Sequence, residues 1–215
     1  MVARIISWPK ELTEFRFYKC WNNDNYRIDL SMVQRWLQAH KTSLRYIMIN
    51  ELSLQRPPEG QLDFNAVQFT SLKHLHLSRW LWSKPLDLSL AKAEAESLLA
   101  PKLRVFVWDF TAERDGFREF WTDFGAQEEE WLKVFAQVAI SRRDRHCLQE
   151  IRIQFTPEDM GWGRESEIYP WDRLDRIREE VVQQSGGLVA LTYNKPVFSR
   201  EEWKDFLEER SGRIH

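Results

Sequence analysis

The chain has 215 residues, 43% of them hydrophobic and 30% charged, which suffices for one sizeable core and excludes a disordered polymer. Lys and Arg number 31 against 33 for Asp and Glu, a net charge of -2 that removes the positive field a general nucleic-acid binder needs. Two cysteines, Cys20 and Cys147, exclude a disulfide-rich secreted scaffold and point to a reducing, intracellular setting, no apolar run of about 18 residues spans a membrane, and the start of the chain is too short and mixed for a signal peptide. Against this polar background, 11 Trp and 13 Phe are unusually many.

One short phrase organises the chain: a Leu, a large apolar residue three positions on, and another two positions later. It reads Leu12-Phe15-Phe17, Leu44-Ile47-Ile49, Leu72-Leu75-Leu77, Leu103-Phe106-Trp108, Leu148-Ile151-Ile153 and Leu188-Leu191-Tyr193. Successive phrases begin 32, 28, 31, 45 and 40 residues apart, so the last two intervals carry insertions. Apolar residues two apart share one face of a strand. Each phrase is therefore a short strand that must stack on a similar neighbour.

Helical patterns separate the phrases. Ser31 to Gln34 reads as a capping box opening a helix that buries Val33, Trp36 and Leu37. Leu88 to Ala100 is rich in helix formers and stops at Pro101. Glu128 to Arg143 places Trp131, Leu132, Phe135, Val138 and Ala139 at helical spacing, with the acidic run Glu128-Glu129-Glu130 at its start and Arg142, Arg143 and Arg145 at its end, read as a solvated helix complementing its dipole. Pro170 opens a helix carrying Leu174, Ile177 and Val181 to a stop at Gly186. Ser199 to Glu202 caps a last helix with Trp203, Phe206 and Leu207 inward and Gly212 beyond it.

Strand and helix alternating about every 30 residues predict parallel strands joined by crossovers. The strands are too short, and a Gly-rich first turn is missing, for a doubly wound sheet. The expected fold is an α/β solenoid, a curved parallel sheet with outer helices and about six irregular repeats. It forms one domain over 1–215, with repeats over about 5–196 and a capping helix over about 199–211.

Leu12-x-x-Phe15-x-Phe17-x-x-Cys20 resembles the leucine-rich-repeat phrase L-x-x-L-x-L-x-x-N/C in all four places, and the phrases from Leu44 and Leu72 match its first three. The ninth position departs elsewhere, with Leu52, Trp80, Thr111, Thr156 and Pro196. Irregular repeat lengths, the lead-in Trp8-Pro9-Lys10-Glu11-Leu12 and the phrase Phe69 to Leu75 resemble the repeat region of fungal F-box-associated proteins. That resemblance implies a substrate receptor of a ubiquitin ligase, although the chain carries no F-box motif. Terminal repeats need caps, and about ten residues precede the first strand. A second chain covering that edge, or an upstream piece lost from this one, would answer the need.

The residues between the buried ones form columns across the strands: Glu14, Tyr46, His74, Val105, Glu150 and Ala190; Arg16, Met48, His76, Val107, Arg152 and Thr192; then Tyr18, Asn50, Ser78, Asp109, Gln154 and Asn194. Their mixture of aromatic, polar and Met residues suits protein recognition. Tyr18, Tyr46, Met48, His74, His76, Asp109 and Arg152 are the binding candidates. Two insertions add Phe117, Phe120 and Trp121, and Trp162, because binding residues collect on loops of a rigid scaffold. Phe117, Phe120 and Phe124 fall at helical spacing, where aromatics are more often core, and so read as a plug of the solenoid's irregular edge.

His74 and His76 project from one strand face and would suit a metal, with Asn50 and Asp109 as lateral neighbours, but solvated or packing histidines is the plainer reading. Cys147 begins a buried strand phrase and reads as an inert core cysteine. Asp109, Glu113 and Asp115 lie close in sequence without the spacing of an acid/base pair, and Gly161-Trp162-Gly163 lacks the residues of a phosphate loop. The sequence therefore predicts a non-catalytic protein-recognition module with no cofactor and no metal. Its partner is another protein, with no nucleic acid and no membrane. The rival readings are a metal- or small-molecule-binding enzyme using His74, His76 and Asp109, and a structural subunit docking Trp8 or Phe17 on a second chain.

Overall fold

A computed structural model describes residues 5–18, 28–50, 52, 62–82, 85–114, 117–120, 124–155, 169, 171–196 and 199–211, without the side chains of 111–114, 117–120, 206–207 and 210–211. Cys20, Asp115, Trp121, Gly161 to Gly163, Pro170, Gly212 and His215 lie outside the described residues, as do the side chains of Glu113, Phe117, Phe120, Phe206 and Leu207.

All six phrases form strands: β1 (Glu14–Phe17), β2 (Tyr46–Ile49), β3 (His74–Ser78), β4 (Val105–Asp109), β7 (Glu150–Gln154) and β8 (Ala190–Tyr193). They pair in one parallel sheet in the order β1-β2-β3-β4-β7-β8, which is also their order along the chain. Register pairs Glu14 with Tyr46, Tyr46 with His74, His74 with Val105, Val105 with Glu150 and Glu150 with Ala190. These are the columns expected from the repeat.

The alignment extends one residue before each strand. The Thr13 carbonyl accepts the amides of Arg45 and Tyr46 at 2.8 and 3.1 Å, Arg45 those of Lys73 and His74, Lys73 those of Arg104 and Val105, and Arg104 those of Gln149 and Glu150. The turns leading into β2, β3, β4 and β7 are thus held side by side.

Helices α1 (Leu30–Leu37), α2 (Ala91–Leu98), α3 (Ala126–Ser141) and α4 (Trp171–Ser185) link the strands, and α5 (Arg200–Ser211) follows β8. A 3-10 turn, Ala66–Gln68, stands between β2 and β3. The helices cover the sheet face formed by Ile47, Leu75, Phe106, Ile151 and Leu191, each at most 2% exposed, and share its core through Val33, Leu37, Ala95, Leu98, Trp131 and Leu174. Gly186 and Gly187 have φ of +60° and +79°, so the stop after α4 uses the left-handed backbone that glycine adopts freely. Ser199 and Glu202 close the expected capping box on α5: the Ser199 amide donates to Glu202 Oε2 at 2.7 Å and the Glu202 amide to Ser199 Oγ at 3.2 Å.

Four expectations are corrected. Burial of Leu30 brings α1 back by two residues, so Asp29 rather than Ser31 is the cap and accepts the Met32 amide at 2.7 Å. The segment from Phe110 is not helical: β5 (Thr111–Arg114) and β6 (Phe117–Phe120) form an antiparallel hairpin. Phe124 lies beyond it and is buried against Phe110 and Phe155. Cys147 is exposed, because its neighbours His146 and Leu148 take the inward positions.

The acidic run at the start of α3 is not a solvated face. Glu128 and Glu129 are 6% and 7% exposed. Glu128 Oε1 accepts Arg79 Nε and Nη2 at 3.1 and 2.8 Å, while its Oε2 takes the Gly125 amide. Glu129 meets Arg173 at 2.8 Å, Lys133 at 3.1 Å and Arg176 at 3.3 Å. Burial works to raise the Glu129 carboxyl, but hydrogen bonds from Arg173 and Lys133 outweigh it and hold it below the usual range. A third buried carboxylate, Glu94, accepts the Leu62 amide at 3.0 Å and the indole N–H groups of Trp82 and Trp131 at 3.0 and 2.8 Å.

Two histidines do matching structural work. His40 Nδ1 accepts the Leu12 amide and Nε2 lies 2.7 Å from the Ile6 carbonyl. His146 Nδ1 accepts the Leu148 amide and Nε2 lies 2.9 Å from the Ala139 carbonyl. In both, the amide fixes Nδ1 as the acceptor, so the ring is the neutral tautomer with Nε2 donating. Each ring secures the leucine that opens a strand phrase.

Candidate functional site

The sheet face turned away from the helices carries the candidate residues. At the β1 end, Arg16 and His74 lie against Tyr46 from the strands on either side: the guanidinium carbon is 4.9 Å from the Tyr46 ring centroid, and the His74 ring stacks at 4.6 Å and 22°. Arg16 also pairs with Glu14. The hydroxyls of Tyr18 and Tyr46 donate to Met48 Sδ at 3.3 and 3.7 Å. Four of the expected binding residues, Tyr18, Tyr46, Met48 and His74, are therefore brought together.

Deeper along the face, His76 Nε2 lies 2.8 Å from Asp109 Oδ2, with side chains 8% and 6% exposed. The two sit on adjacent strands, two positions apart in register. Toward β8, Arg152 forks onto Glu150 with two contacts of 3.0 Å, and Thr192 Oγ1 donates to Glu150 Oε1 at 2.7 Å. The column reading expects these residues to be open to a ligand. Arg152, Tyr18 and Arg16 are exposed and Tyr46 and His74 half-buried, but Met48, His76 and Asp109 are buried. Met48 lies beneath two tyrosine hydroxyls, and the His76–Asp109 contact satisfies two polar groups that would otherwise resist burial. Arg16 and Glu150 are site residues outside the expected set; their signal is the Glu14-x-Arg16 and Glu150-x-Arg152 spacing, which puts opposite charges on one strand face.

Among the described residues, no three His, Cys, Asp or Glu side chains converge to hold a metal ion, and no helix is long and apolar enough to cross a membrane. On the helical side, an open cleft of about 540 Å³ runs between α1 and residues 62–68. Its amides are engaged internally, Gln38 with Gln68 and Gln34 with the Asn65 backbone. Compared with protein-family models, curated proteins and solved structures, the chain matches none.

Burial, reinforced by nearby His76 and Arg152, lowers His74 to about 4, and burial lowers His146 below its ordinary value. Both rings are neutral in the folded chain near neutrality, whereas the unfolded chain protonates them near pH 6.5. Below that pH the unfolded state binds more protons. The contribution of His74 to stability is thus complete above about pH 6.5 and drains away as pH falls toward 4, and that of His146 is lost in the same direction. The urea midpoint should fall between about pH 7 and 4.5, above the range where Glu129 and Glu150 protonate, and His74→Gln should flatten part of that fall. A midpoint constant across this window would contradict the assignment.

Proposed function

We propose that the chain is a non-catalytic protein-recognition module, an irregular leucine-rich-repeat solenoid that offers the helix-free face of its sheet to a partner protein. One observation carries the reading: in-register columns place exposed Arg16, Tyr18 and Arg152 beside half-buried Tyr46 and His74 on a parallel sheet whose other face is covered by helices. Arg and Tyr on a rigid support are the residues that dominate protein interfaces. The repeat reading is supported by sheet order equal to chain order and by the shared carbonyl contacts before β2, β3, β4 and β7. The resemblance of the repeat phrases extends the proposal to the substrate-receptor part of an F-box-type ubiquitin ligase inside the cell, with transfer chemistry in other subunits.

The test uses the whole chain as bait in its native extract beside the Tyr46→Ala, His74→Ala double variant, its fold checked by circular dichroism. A protein captured by the first bait and lost by the second, and then bound directly when purified, supports recognition by this face. Adaptor or cullin subunits among the prey support the ligase role. Identical prey on both baits overturns the site.

Two other readings each have one observation behind them. For a metal- or small-molecule-binding enzyme, the His76–Asp109 contact would supply a base and its orienting group, and a bound metal or small ligand found by elemental or mass analysis would favour that reading. Trp8 and Ile5, 85% and 57% exposed beside the edge strand β1, favour a structural subunit, for which mass in solution would depend on concentration.

A further inference from the structure

The residues that enter β2, β3 and β4 are Arg45, Lys73 and Arg104, all exposed. The carbonyl contacts between their turns hold them in line, at the sheet spacing of about 4.8 Å. Lys41 and Lys102 stand exposed in the same turns. Among the described residues, none of these five makes an ion pair or a side-chain hydrogen bond. Several other surface arginines are matched: Arg16 with Glu14, Arg142 with Glu96, Arg152 with Glu150 and Arg178 with Asp175. Asp144 is the one acidic residue in the four turns 41–45, 70–73, 101–104 and 142–149, and it meets Arg145 only at 4.0 Å in the open. A chain of net charge -2 therefore concentrates unneutralised positive charge on one rim. Helix C-termini attract a cation within their last turn, but Arg45, Lys73 and Arg104 lie beyond it, on the strand side.

We infer that this rim is a docking surface for a short acidic segment of another protein. The in-line cations span two strand spacings, about 10 Å, and the row ends at neutral Thr13 and Gln149. That length suits three or four residues of an extended peptide with alternate carboxylates about 7 Å apart. Two of the three are arginines, whose planar forks match carboxylates. A nucleic acid asks for a longer basic track and open aromatic faces, and the neighbouring Tyr46 ring has Arg16 and His74 against it. The inference goes beyond the sheet-face proposal and concerns different residues, so either can fail alone.

Fluorescence anisotropy of a labelled octaglutamate peptide tests it on the whole chain, without the sheet-face partner. The wild-type chain should bind the peptide at about 50 mM salt and much more weakly at about 300 mM. The Arg45→Glu, Lys73→Glu, Arg104→Glu variant should bind at least about tenfold more weakly with an unchanged melting temperature, since all three are exposed. The corresponding triple Gln variant gives the same reading should charge reversal disturb the fold. No peptide binding by the wild-type chain, or undiminished binding by a folded variant, overturns the inference. An octathymidylate strand that binds more tightly through the same residues overturns it in favour of a nucleic acid.

Discussion

Glu94→Ala should lower the unfolding free energy by about 3–5 kcal/mol, because three buried donors lose a charged acceptor at once. Glu94 is 3% exposed and joins the Leu62 amide to the indoles of Trp82 and Trp131. It therefore binds a loop, a second loop and helix α3 to helix α2. Ala is the better helix former, and the loss of a first-turn carboxylate from α2 accounts for only about 1 kcal/mol. For a chain of this size the melting temperature should fall by about 10 °C. Differential scanning calorimetry checks it, and a loss under about 1 kcal/mol would refute the bridging role.

Trp131→Ala should cost a similar amount, about 3–5 kcal/mol, mainly by opening a cavity. The Trp131 ring lies 4.5 Å from Trp108, 5.3 Å from Trp82 and 5.5 Å from Phe135, centroid to centroid, with no exposed surface. Trp8→Ala is the control. At 85% exposed, Trp8 should change stability by no more than about 0.5 kcal/mol. Because Trp131 donates to Glu94, the double variant should lose less than the two single losses together. Additive losses in urea titrations would show that cavity and hydrogen bond act separately.

The strand positions were legible because a period of two on a leucine frame admits few alternatives: the three residue columns follow from aligning the six leucines, and the register agrees with them. The β5–β6 hairpin was missed although Asp115-Gly116 stands between its strands, a dipeptide favoured in two-residue hairpin turns; the helical spacing of Phe117, Phe120 and Phe124 masked that signal. Glu94, Arg79 and Glu128 could not be foreseen. Glu94 meets partners 32, 12 and 37 residues away, and Arg79 and Glu128 lie 49 residues apart; a carboxylate at the start of a helix reads as solvated until a distant arginine or indole arrives. The same limit governs the candidate site. Alternation puts Met48, His76 and Asp109 on the outer face, but burial there depends on the contacts that Tyr18, Tyr46 and His76 make across strands. The expected ligands of a partner protein were thus only partly separated from residues that hold the sheet together.

Because each strand pairs only with those before and after it in the chain, resistance to opening is distributed unevenly. An end strand can detach by breaking a single ladder, whereas parting β3 from β4 severs the molecule in two. The Trp82–Trp108–Trp131 cluster and the Arg79–Glu128 contact stand at that central junction. Fraying therefore begins at β1 and β8 and advances inward, and amide protons of β3 and β4 exchange last.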